Sequence, residues 1–134
     1  MRFTSRSEYA VRALANLAAR REGVALCREV AADEGIPLKF LAQIMRDLGR
    51  AGLVEGMRGA RGGFRLAKPP TDISVLDIVV ATEGPVSVFP CVTKDSHCPR
   101  QEVCRLNDVW ADTQQRMAEV LRNAKLDSLA GQAG

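Results

Sequence analysis

The sequence predicts a mainly α protein with a small β-hairpin wing: a winged helix–turn–helix domain followed by a long dimerisation helix. The first observation behind this is a tight turn, Glu34-Gly35-Ile36-Pro37, between two short helical patterns. The second is a pair of short β-type runs, residues 53–57 and 64–67, around a glycine-rich tip directly after them. The third is a late run of apolar or small residues, Val103, Leu106, Trp110, Thr113, Met117, Val120 and Ala124, in steps of 3, 4, 3, 4, 3 and 4. That is the seam of a helix packed along another helix.

The elements follow in order. Ser5 and Glu8 have the S-x-x-E spacing of a capping box, so a first helix is expected from Ser5. Tyr9, Val11, Leu14, Leu17 and Ala18 continue it at helical spacing, and Gly23 stops it. A short second helix fits residues 25–33, with Val30 and Ala31 inward. Gly35 suits a left-handed C-cap, and Pro37 suits the first position of a third helix that runs to Arg50. The hairpin comes next, with Phe64 and Leu66 on one face, and Pro69-Pro70 closes it. A fourth helix is expected over 74–82, ended by Gly84-Pro85, and a last one over 102–123. The 22 residues of that last helix span ~33 Å at ~1.5 Å each, more than a small domain covers by itself. A homodimer is therefore expected. The organisation predicted is a DNA-binding domain over 1–70, a connecting helix over 71–84, a cysteine-bearing loop over 85–101, the dimerisation helix over 102–124 and a flexible tail over 125–134.

Composition narrows the function. The 134 residues are 46% hydrophobic with a net charge of +3, which excludes a disordered chain. No apolar run approaches the ~18–20 residues of a membrane span, and the N-terminal Met1-Arg2-Phe3-Thr4-Ser5-Arg6 lacks a secretory stretch. A cytoplasmic, non-membrane protein is expected, in which the 4 cysteines serve as metal ligands or redox thiols rather than disulfides. Charge is uneven. Residues 1–70 carry 13 Lys/Arg against 7 Asp/Glu (+6), and residues 71–134 carry 6 against 9 (−3). A basic front half suits a polyanion.

Within that half, the third helix displays Lys39, Gln43 and Arg46. The second helix of a helix–turn–helix enters the major groove, where Lys reads guanine and Gln reads adenine. The hairpin tip carries Arg58, Arg61, Arg65 and Lys68 with no acid between them, among glycines that permit close approach of the backbone. Such a tip suits a minor groove. The partner expected is a double-stranded DNA operator. Cys91, Cys98 and Cys104 form a C-x6-C-x5-C cluster, one short of a four-thiolate site. An iron–sulfur cluster, zinc completed by His97, and thiol redox chemistry all remain open on spacing alone. Cys27 stands apart and reads as a small buried residue. One histidine beside the cysteines is too little for an acid–base set, so no enzyme is expected.

Together these pieces resemble the IscR/NsrR-type winged-helix regulators, the Rrf2 family, over about residues 1–125. The resemblance rests on Met1-Arg2-Phe3-Thr4-Ser5 with Tyr9-Ala10-Val11, on Ile36-Pro37-Leu38-Lys39-Phe40-Leu41, on the wing from Arg58 to Leu66, and on the cysteines followed by Trp110. It implies a homodimeric transcription factor whose iron–sulfur cluster, sensing nitric oxide, redox state or iron and cluster supply, controls DNA binding. IscR-like members place a histidine ligand three residues after the third cysteine, where this chain has Asn107. NsrR-like members use an acidic residue near the N-terminus of the other subunit, and the matching position is Glu8. The resemblance thus implies Cys91, Cys98, Cys104 and Glu8 as ligands, with a 4Fe–4S cluster favoured over 2Fe–2S, against a Glu8 that only caps its helix. Members that choose between DNA targets carry a glutamate on the recognition helix where this chain has Ala42, which argues against the same switching.

Overall fold

The computed structural model describes residues 4–58, 63–85 and 106–130. Helix α1, Ser5–Ala19, begins one residue earlier than the capping box requires. Thr4 is the N-cap, and its Oγ1 accepts from the Arg6 amide at 3.2 Å. Three residues on from Thr4 stands Ser7, whose hydroxyl donates to the Thr4 carbonyl at 3.1 Å. The expected Ser5–Glu8 box is therefore not formed, because the cap has moved and the spacing no longer lands on Glu8. The helix buries Ala10, Ala13, Leu14 and Leu17, all fully covered.

Arg20 ends α1 in an extended conformation, and Gly23 turns the chain at φ +69°. Strand β1, Val24–Ala25, follows, where the sequence suggested the start of a helix. Two residues are too few to show a period of two, so pattern reading misses them. Helix α2, Cys27–Glu34, starts two residues later than expected, and the Glu29 carboxylate accepts from the Leu26 amide at 3.0 Å. Gly35 closes it in the left-handed region at φ +66°, as expected. Pro37 is the N-cap of helix α3, Leu38–Arg50, one position outside the helix, and its carbonyl accepts from Leu41 at 2.9 Å.

Strands β2, Val54–Met57, and β3, Gly63–Leu66, form the expected hairpin in the register Val54↔Leu66 and Glu55↔Arg65. The sheet is three-stranded and antiparallel in the order β1-β3-β2. A 3₁₀ turn over Pro70–Asp72 leads to helix α4, Val75–Glu83. Ser74 caps α4 with a genuine box: its Oγ accepts from the Asp77 amide at 3.1 Å, and Asp77 accepts from the Ser74 amide at 3.0 Å.

Helix α5, Leu106–Asn123, has no fully buried residue in the protomer. Trp110 and Met117 are half-buried, whereas Leu106, Val109 and Val120 are 53%, 52% and 69% exposed. Leu106, Val120, Trp110 and Met117 belong to the expected seam, and Val109, outside it, is exposed as well. Val103 lies outside the described residues. The segment expected as a flexible tail holds a short helix α6, Leu126–Ala130, with Leu126 fully buried. It is tied down by backbone bonds from Leu126 to Ile73 and from Val75 to Ala124, each 2.9 Å. One core, built on α1, α3, α4 and Leu126, joins the front of the chain to its end.

Candidate nucleic-acid interface and cluster site

Helix α3 is sharply two-sided. Leu41, Ile44, Met45 and Leu48 are at most 1% exposed, which is a 3.6-residue stripe against the core. Burying each such side chain stabilises the domain by about 1.5–3 kcal/mol. The opposite face presents Lys39, Gln43 and Arg46 to solvent, together with Arg50, a residue that pattern reading passed over although it stands one turn beyond Arg46. Lys39 and Arg46 make no ion pair among the described residues. By contrast, Arg6 is committed to Asp47 on the half-buried flank of α3.

The wing places Arg58 in the open just past β2. Arg65 is less free than its sequence suggests: its Nε donates to the Glu55 carboxylate at 2.8 Å, across the register pair. Arg61 lies outside the described residues. Gly63 has a packing task. A Cβ there would fall 2.4 Å from the Ala25 carbonyl oxygen, so glycine admits β1 to the sheet.

Cys91, Cys98, Cys104 and His97 lie outside the described residues. Among the described residues no group of three or more His, Cys, Asp or Glu converges on one point. Cys27 is half-buried at the first turn of α2, where desolvation pushes its thiol above the usual pKa. Glu8 lines an open cavity of about 460 Å³ with Thr4, Ser5, Ser7 and Val11 of the α1 end, Val75 and Val79 of α4, and Leu121 of α5. Its side chain is 66% exposed, and its nearest cation is Arg12 at 3.8 Å. Arg12 also approaches the Glu34 carboxylate at 3.7 Å, donates to the Glu34 carbonyl, and lies 5.7 Å from the Tyr9 ring centroid. The i,i+4 spacing of Glu8 and Arg12 was the available sequence signal for that contact. Asn107, three residues past Cys104, has a buried Oδ1 with no hydrogen-bond partner among the described residues.

A family model described as "Iron-dependent Transcriptional regulator", Rrf2, matches residues 3–132. The chain belongs to the Rrf2 family. It is similar to the transcriptional regulator IscR of Pectobacterium atrosepticum, with 32% identity over 96% of this chain and 79% of that relative. Among solved structures it is similar to CymR, the global cysteine regulator of B. subtilis, at TM-score 0.78 and 28% identity over 98% of both chains. IscR of T. potens matches at TM-score 0.76 and 27% identity, covering all of this chain and 89% of that one. The Rrf2 protein described here is accordingly a DNA-binding transcriptional regulator of winged-helix fold and not an enzyme. Among its described residues no helix is long and apolar enough to cross a membrane.

Proposed function

We propose that this Rrf2 protein is a homodimer that binds a double-stranded DNA operator under the control of an iron–sulfur cluster. In this reading Lys39, Gln43 and Arg46 meet base edges in the major groove, and Arg58, Arg61 and Arg65 serve the wing contact. The exposed row of α5, Leu106, Val109 and Val120, pairs with a second copy. Cys91, Cys98 and Cys104 supply thiolates, and Glu8 of the partner subunit supplies the fourth ligand, favouring 4Fe–4S.

The observation that carries the cluster assignment is the freedom of Glu8. Thr4 does the capping, so the carboxylate is not held by the backbone, and it stands two-thirds exposed on the cavity rim. The donor set fits the group: soft thiolates hold iron, and a harder carboxylate gives one exchangeable position. When bound, the cluster supplies a group reactive toward oxygen, nitric oxide and reductants.

Anaerobic purification tests this directly. The expected product is brown, contains iron and acid-labile sulfide, and binds DNA differently before and after nitric oxide or oxygen. Glu8→Gln is expected to change the visible spectrum or the rate of cluster loss while leaving the melting temperature of the cluster-free protein unchanged, because Glu8 caps nothing. A colourless protein holding zinc, or one with free thiols only, overturns the cluster assignment and leaves a regulator that uses its cysteines as zinc ligands or redox thiols.

A further inference from the structure

Leu38 opens helix α3 and is 50% exposed. The helix does not need it for packing, because its buried stripe is Leu41, Ile44, Met45 and Leu48. Nor does the helix start depend on its side chain, since the Pro37 carbonyl accepts the first backbone bond. It is a large apolar group held in water at the tip of an otherwise polar, cationic face. Ala42, one turn further along, is exposed and carries only a methyl, so nothing bulky screens Leu38 on that side.

The surroundings limit what covers Leu38. Lys39 and Arg46 have no carboxylate partner among the described residues, so the face awaits a polyanion rather than an apolar protein surface. On a duplex, the apolar group displayed in the major groove is the 5-methyl of thymine. The first turn of a recognition helix is the part that reaches base edges. We propose that Leu38 is a specificity-determining residue that packs on the 5-methyl group of a thymine in the operator. This rests on the reading that α3 enters the major groove.

Deoxyuridine lacks that methyl and keeps every hydrogen-bonding edge of thymine. The full-length protein would first select duplexes from a random library. Each thymine of the selected duplex would then be replaced singly by deoxyuridine, and affinity measured by fluorescence anisotropy at fixed salt. At one or more positions the unchanged protein should lose about fourfold in affinity, the value of one buried methyl-sized group. Leu38→Ala should bind the thymine duplex about that much more weakly and show no further loss with uracil there. Its melting temperature should not move, because the side chain is exposed. If Leu38→Ala keeps the same uracil penalties, or if no uracil weakens the unchanged protein, the proposal is wrong. Lys39→Ala and Gln43→Ala separate this from failure of the underlying reading. If these two and Leu38→Ala all leave affinity and the selected sequence unchanged, α3 is not in the groove. If they weaken binding while Leu38→Ala does not alter the uracil penalty, only the role of Leu38 falls.

Discussion

Replacing Gly63 by alanine puts the sheet to a quantitative test. The added Cβ would lie 2.4 Å from the Ala25 carbonyl oxygen, 2.8 Å from its carbon and 3.1 Å from the Leu26 nitrogen. All three are backbone atoms, so no side-chain rotation relieves the contact. Strand β1 must retreat or give up its pairs, Val24↔Arg65 and Ala25↔Phe64. Overpacking of this kind costs about 1–3 kcal/mol. For a chain of 134 residues that lowers Tm by roughly 3–15 °C. Gly56 provides the internal control. It sits opposite Phe64 in the same sheet, and its added Cβ would meet only the Phe64 ring, at 4.0 Å. Gly56→Ala should therefore stay within about 0.5 kcal/mol of the parent. Thermal unfolding of the three proteins at one protein concentration is the assay, since association shifts Tm. Equal stability of Gly63→Ala and Gly56→Ala would refute the claim that β1 sits hard against the wing.

Further outcomes follow from the same geometry. Leu126→Ala should cost about 2–5 kcal/mol in denaturant unfolding, as a fully buried leucine does; a change near zero would return this segment to the flexible tail the sequence suggested. Val120→Asp, at a position 69% exposed in the protomer, should shift sedimentation from dimer to monomer while circular dichroism stays helical; an unchanged dimer would place the interface elsewhere. Burial raises the Cys27 thiol above its ordinary 9.0, so the folded state keeps that proton to higher pH than the unfolded chain, and the associated stability is present below pH 9.0 and lost as pH rises from there through the raised folded value. With the other cysteines changed to serine, alkylation at pH 8 should accordingly be slower in the folded protein than in denaturant, and equal rates would contradict it.

The architecture was legible in the sequence where elements are long or punctuated. Gly35, the apolar stripe of α3 and the glycine-rich hairpin each announce a backbone constraint that chemistry enforces locally. What escaped was set by tertiary contact. Strand β1 exists because β3 passes beside it, and two residues carry no period of their own. The cap of α1 fell to Thr4 rather than Ser5 because both can accept from backbone amides, and sequence spacing cannot rank adjacent hydroxyls. In α5, Val109 and Trp110 both suit a seam in a period between 3.5 and 3.6, so spacing alone does not rank them. The outward residues of α3 were readable for the same reason as its core, since one phase fixes both.

Helix α1 links the two candidate sites, and the size of that link can be bounded. Arg12 stands between Glu8 at 3.8 Å and the Glu34 carboxylate at 3.7 Å, at the end of α2 just before the turn into α3. Tyr9, beside it, meets Phe40 of α3 edge-on, with ring centroids 5.6 Å apart and planes at 83°. A ligand that takes up Glu8 removes one of the two carboxylates of Arg12 and strengthens its hold on Glu34. The pair it gives up is an exposed i,i+4 contact, worth about 0.3–0.5 kcal/mol. That shifts a conformational equilibrium by about twofold, whereas moving it from mostly one state to mostly the other takes about 5.5 kcal/mol. On the proposed reading the charge on Arg12 therefore tunes the helix–turn–helix without switching it. On the proposed reading the larger part must come from rigid displacement: a carboxylate on α1 bound into the partner's cluster fixes one DNA-binding domain against the other subunit, and its release frees a body whose α1, α3 and α4 move together on one core.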